Sequence, residues 1–106
     1  MNYRYMRIIL FYDLPMNDKK SVRDYNHFVK KLIGEGFYRI QYSVFVKLAI
    51  NQQSVDFTMS RVKEILPKEG NVFSFVLTEK QFASMEILLG ETSTDLINDD
   101  SRVIEL

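Results

Sequence analysis

One carboxylate in this chain stands where chemistry is usually placed. Residues Arg7–Pro15 read Arg-Ile-Ile-Leu-Phe-Tyr-Asp-Leu-Pro. An apolar and aromatic run ends on Asp13, and Pro15 closes it because proline cannot donate to a strand ladder. Asp13 is therefore expected at the C-terminal tip of a strand, beside a loop, where functional groups concentrate. An Asp after buried apolar residues costs desolvation unless something compensates. Mg2+, a backbone N–H or the cap of the next helix would each serve. Mg2+ needs few protein ligands and keeps several waters. One Asp per chain is thin for a two-metal nuclease, but a two-fold dimer would bring two copies of Asp13 together. The structural alternative is an Asx-type turn residue ahead of the proline.

The second chemical feature is cationic. Lys20, Arg23, His27, Lys30 and Lys31 share one stripe at helical spacing, and such a stripe suits phosphate binding. Its bland reading is a solvated helix face. Charge is also divided along the chain: residues 1–53 hold nine Lys/Arg against four Asp/Glu, and residues 54–106 hold five against ten. A basic face for nucleic acid and an acidic part for a protein partner would follow, unless the partition is chance.

Other chemistries are excluded by residue type. There is no cysteine, so disulfides, zinc-thiolate sites and thiol catalysis are absent. A single histidine and no cysteine leave no His-based metal cluster. The four glycines form no phosphate loop. His27 falls mid-helix, a poor place for Ser-His-Asp catalysis, and reads better as a surface or phosphate-contacting side chain. No signal peptide or transmembrane run is expected, so the default location is cytoplasmic.

The elements that must position these groups follow from periodicity. With 106 residues, one domain is expected. The first strand covers about Met6–Leu14, with Ile8, Leu10 and Tyr12 on one side and Arg7, Ile9, Phe11 and Asp13 on the other. Asn17 or Asp18, with Ser21 a later alternative, caps a helix to about Glu35. Its core stripe is Val22, Tyr25, Phe28, Val29, Leu32 and Ile33, and Gly34 and Gly36 end it. Phe37–Leu48 is too long for one ordinary strand. It reads as strands near Tyr38–Gln41 and Ser43–Leu48, broken at Tyr42, or as one bulged strand.

Asn51 caps a second helix, about Gln52–Leu66, with Val55, Met59, Val62, Ile65 and Leu66 inward. Asn71–Thr78 alternates as a strand. Thr78 and Gln81 form a capping box for a short helix over Glu79–Met85. Short strands are expected at Glu86–Leu89 and Arg102–Leu106, separated by a polar, acidic stretch. The order strand, helix, strand, strand, helix, strand is the α+β, ferredoxin-like βαββαβ arrangement. Its antiparallel sheet carries two helices on one face and leaves the other open. The core is residues 6–78, with 79–106 as an extension.

Three segments carry a resemblance to a known family: Met6-Arg7-Ile8-Ile9-Leu10-Phe11-Tyr12-Asp13-Leu14-Pro15, Gly36-Phe37-Tyr38-Arg39-Ile40-Gln41-Tyr42-Ser43-Val44-Phe45, and Leu77-Thr78-Glu79-Lys80-Gln81-Phe82. Together they resemble the CRISPR-associated Cas-two family, the small subunit of the spacer-acquisition complex, in its type II-A form. The resemblance implies a ferredoxin-like homodimer whose carboxy-terminal strand pairs across subunits. It implies a complex with the Cas-one integrase that holds double-stranded protospacer DNA. It also implies a Mg2+-dependent endoribonuclease, in some members acting on double-stranded DNA, with Asp13 as the catalytic and metal-binding residue.

Two functions then compete with a third. A DNA-binding scaffold would use Arg4, Arg7, Lys19, Lys20, Arg23, Lys30, Lys31 and Arg39 for backbone contacts without base readout. A metal-dependent phosphodiesterase acting on RNA or duplex DNA would use one Mg2+ shared by two Asp13 side chains. A ferredoxin-like regulatory or ligand-binding dimer would need neither.

Overall fold

The computed structural model describes residues 5–90. It builds β1 (Met6–Asp13), α1 (Lys19–Gly34), β2 (Tyr38–Gln41), β3 (Val44–Ala49), α2 (Gln52–Glu64), β4 (Asn71–Thr78) and α3 (Glu79–Ala83). The four strands form one antiparallel sheet in the order β2-β3-β1-β4. That is the ferredoxin-like arrangement expected from the element order. Strand β1 is central and paired on both sides. Its Asp13 stands opposite Asn71 of β4.

The helices cover one face because each carries an apolar stripe and a firm start. Asp18 caps α1, accepting from the Ser21 amide at 2.7 Å, while Ser21 Oγ accepts from the Asp18 amide at 3.0 Å. Asn51 caps α2 by accepting from the Ser54 amide at 2.8 Å. Tyr25, Phe28 and Leu32 of α1 and Val55 and Val62 of α2 bury against Ile8, Leu10, Tyr12, Phe37, Phe45 and Ala49. Ile33 and Leu66, expected in these stripes, are exposed: Ile33 lies in the last turn of α1, and Leu66 lies past the end of α2 at Glu64. Thr58 takes a buried place that a strictly apolar reading passes over.

The helices are also tied to each other at one end. Arg61 donates two hydrogen bonds to the Glu35 carboxylate, at 2.7 and 2.8 Å. Lys47 donates to the Glu35 carbonyl at 2.8 Å, and its stem crosses Gly36, where a Cβ would lie 2.5 Å from Nζ.

The opposite face stays open. Phe11 and Phe73 pack there with ring centroids 5.6 Å apart, and Phe73 and Phe75 are each more than half exposed. In β4 the half-buried Val72 and Val76 therefore point to the helices, and the phenylalanines point away.

The expected strand at Glu86–Leu89 does not form. Both edges of β1 are already occupied, and α3 turns the chain across the open face instead. Met85–Leu89 there overhang Ile9, Ile40 and Val44, enclosing a hollow of about 500 Å³. The expected terminal strand at 102–106 and the acidic stretch before it lie outside the described residues. No helix among the described residues is long and apolar enough to cross a membrane.

Candidate metal and nucleic-acid site

Asp13 sits at the tip of β1 as expected, but its environment differs from the expectation in two ways. The side chain is exposed, so no desolvation needs to be offset. Its carboxylate has no hydrogen bond or ion pair among the described residues, which removes the Asx-turn alternative. Two neighbours hold the backbone at this point. The Tyr12 amide donates to the Ser43 carbonyl at 3.1 Å. Gly70 folds against the strand end at φ +104°, where a Cβ would lie 2.9 Å from the Asp13 carbonyl oxygen. Only glycine takes up this conformation without strain.

The donor chemistry of Asp13 suits a hard cation: an unengaged carboxylate facing water. One carboxylate alone does not make up a metal site. No group of three or more His, Cys, Asp or Glu side chains able to hold a metal exists among the described residues. Asp13 also lies on the open face with Ile9 and Phe11, the face that α1 and α2 leave uncovered.

The basic residues divide into three groups. Lys19, Lys20, Arg23, Lys30 and Lys31 are all exposed on α1. At about 100° per residue they span an arc of about 120°, opposite the buried Tyr25, Phe28 and Leu32. Lys20 pairs with Asp24 at 3.0 Å. That exposed pair is weak and leaves the lysine able to meet a phosphate. Exposed His27 lies within the same arc.

Arg7 is different. It is 5% exposed. Its guanidinium donates to both Glu79 carboxylate oxygens, at 2.8 and 3.0 Å, and to the Tyr38 hydroxyl at 2.7 Å. The Phe82 ring lies 4.7 Å away. Its charge is neutralised within the fold, where it fastens α3 to β1, so it drops out of the residues expected to contact nucleic acid. The reason is its place on the open face beneath α3, which strand periodicity alone does not reveal.

Arg39 is exposed but engaged. It lies 5.3 Å from the Tyr42 ring centroid and 5.0 Å from that of Phe45, and it donates to the Tyr25 hydroxyl at 3.3 Å. Arg4 lies outside the described residues.

Tyr42, expected only as a strand break, emerges as part of this end of the molecule. It forms the β2–β3 turn, is 61% exposed, and stacks on Tyr25 with centroids 5.8 Å apart and planes 19° apart. The signal in the sequence is an aromatic residue at a break between strands, where burial on either face is impossible.

Comparison with known proteins supports the fold and the family. The family model for "CRISPR associated protein Cas2" matches residues 6–85. A "CRISPR-associated endoribonuclease Cas2" from Ligilactobacillus salivarius is 42% identical over 101 residues, covering 95% of this chain and 100% of the relative. Proteins with the same name from Streptococcus mutans and Treponema denticola are 42% and 40% identical, each over 95% of this chain. A solved structure described as "Crystal structure of cas2" superposes with a TM-score of 0.57 at 20% identity, covering 85% of this chain and 92% of the other. The chain belongs to the Cas2 family of CRISPR-associated proteins.

Proposed function

We propose that the chain acts in CRISPR spacer acquisition as a homodimer that holds double-stranded DNA by its phosphates and bridges the Cas-one integrase. The observation that carries this reading is the open sheet face, where Phe11, Phe73 and Phe75 are exposed beside the unengaged Asp13. An exposed apolar face of this kind marks an interaction surface. A second copy meeting it across a two-fold axis would cover the phenylalanines and bring both Asp13 side chains to one cleft. The outer edge of β4 is unpaired among the described residues, so a terminal strand of the partner could extend the sheet there. The α1 cations face away from that interface and stay available to a duplex. Phosphate contacts made this way bind with little sequence preference.

A second reading, phosphodiester hydrolysis, is favoured by Asp13 and by the endoribonuclease names of the relatives. Mg2+, when bound, supplies positive charge against a phosphoryl oxygen. The paired Asp13 carboxylates would hold it, while the sheet tip fixes their position and the α1 cations hold the strand. Substitution at Asp13 separates the two readings. Asp13→Ala is expected to bring Mg2+-dependent cleavage of RNA or duplex DNA to background, with duplex binding and spacer acquisition near normal. Persistent cleavage by purified Asp13→Ala protein would remove the catalytic role. Loss of duplex binding in the same variant would remove the scaffold reading's independence from the metal.

A further inference from the structure

We propose that Tyr42 and the hollow beside it form a site for one unpaired nucleotide, whose base stacks on the Tyr42 ring and whose phosphate sits between Lys19 and Arg23. This rests on the nucleic-acid reading above and shares Lys19 and Arg23 with the α1 arc, but it adds Tyr42 and concerns a different form of the ligand.

The ring is exposed yet held. Stacking on Tyr25 fixes its plane, and its hydroxyl donates to Met16 Sδ at 3.4 Å. A restrained aromatic side chain is what a base-stacking platform requires, because the ring loses little freedom when the base arrives. Met16 continues the surface. It lines an open hollow of about 480 Å³ together with Lys19, Arg23 and the first turn of α1. Asp18, the acidic member of this lining, is engaged in capping: hydrogen bonds from Ser21 hold its pKa below the usual carboxylate range. An exposed aromatic ring that reaches, through Met16, a hollow carrying two exposed cations fits a base and its attached phosphate, whatever the base, since every base has a π-face.

Base pairing excludes a regular duplex from this mode, because paired bases are stacked inside the helix. The ligand is therefore a single strand, of RNA or DNA. Tyr42 packs on the helix side of the sheet, through Tyr25 of α1, so a dimer closed through the open face leaves it accessible. The competing explanation is that Tyr42 merely covers Tyr25.

The test uses short single-stranded RNA and DNA oligonucleotides carrying 2-aminopurine, with the unlabelled duplex measured in parallel. Wild-type protein is expected to quench the 2-aminopurine of at least one strand type. Tyr42→Leu, which keeps an apolar cover over Tyr25 but has no π-face, is expected to weaken that binding about 5- to 150-fold. Tyr42→Phe and Tyr42→Trp are expected to retain it, and duplex affinity should not change in Tyr42→Leu. Absence of quenching, or equal quenching by wild type and a folded Tyr42→Leu on both strands, overturns the site. Absence of duplex binding overturns the reading above instead, while Tyr42-dependent quenching would still support this site.

Discussion

Asp13 and Arg7 project from the same face of the same strand, and their neighbours give them opposite fates. Arg7 lies under α3, where Glu79 and Tyr38 take up its donors. Asp13 lies past the end of that cover, and its carboxylate stays exposed. Titration offers a test of another charged pair. Arg61 beside Glu35 holds the Glu35 carboxyl below the usual glutamate range, chiefly through its hydrogen bonds, with the charges of Arg61, Lys47 and Lys31 adding to the effect. The carboxylate therefore binds protons less readily when folded than when unfolded. Its stabilisation is fully present above the unfolded glutamate pKa and is lost as pH falls through the lowered folded value. Thermal melting should accordingly show wild type more stable than Glu35→Gln at neutral pH, with the gap closing in acid. An unchanged gap would mean that the pair contributes nothing through its charge. Asp13 itself was legible in the sequence, because a strand run followed by Asp and Pro leaves few other placements. The engagement of Arg7 was not legible, because it depends on a helix 72 residues further on.

At the scale of elements, sequence periodicity carried the fold. The caps at Asp18, Asn51 and Thr78 and the break at Tyr42 all stand where residue type puts them. What periodicity could not carry was the fate of Glu86–Leu89. Those residues have strand-like composition, but α3 sends them over the sheet face where there is no ladder to join. Turn geometry was also hidden. By residue type Gly70 is a simple exit from α2, yet in the fold it packs against the end of β1 where β4 begins beside it. Gly70→Ala is expected to destabilise the protein by about 1–3 kcal/mol, from a side chain forced to positive φ and a clash with the Asp13 carbonyl. Denaturant unfolding measures the loss. Any cleavage activity should fall in the same variant by more than the folded fraction does, because the tip carrying Asp13 is displaced.

The whole molecule presents two surfaces of opposite character. Among the described residues the open sheet face is largely aromatic and apolar, with Asp13 at one end, the neutralised Arg7 at the other and Glu86 on the segment that overhangs it. The outward face of α1 is cationic. The uneven charge along the sequence anticipated the second surface, and surplus apolar residues on β1 anticipated the first. Their separation onto different sides of the fold came from the sheet order. Lys20→Glu combined with Arg23→Glu is expected to weaken duplex binding. The slope of log affinity against log salt should shrink by about 0.9 for each phosphate that the variant no longer neutralises. An unchanged slope would show that the α1 cations are only a solvated surface.

The meeting of two Asp13 side chains across the open face is the claim on which the metal site and the dimer both depend. The chain has no cysteine, so Asp13→Cys carries a single nitroxide label without further changes. Dipolar electron spin resonance on that labelled protein should give one short, narrow distance between labels. Addition of Phe73→Glu, which places charge in the proposed interface, should abolish it. No dipolar coupling in the labelled protein, or a separation beyond the 45 Å length of one subunit, would contradict the shared cleft.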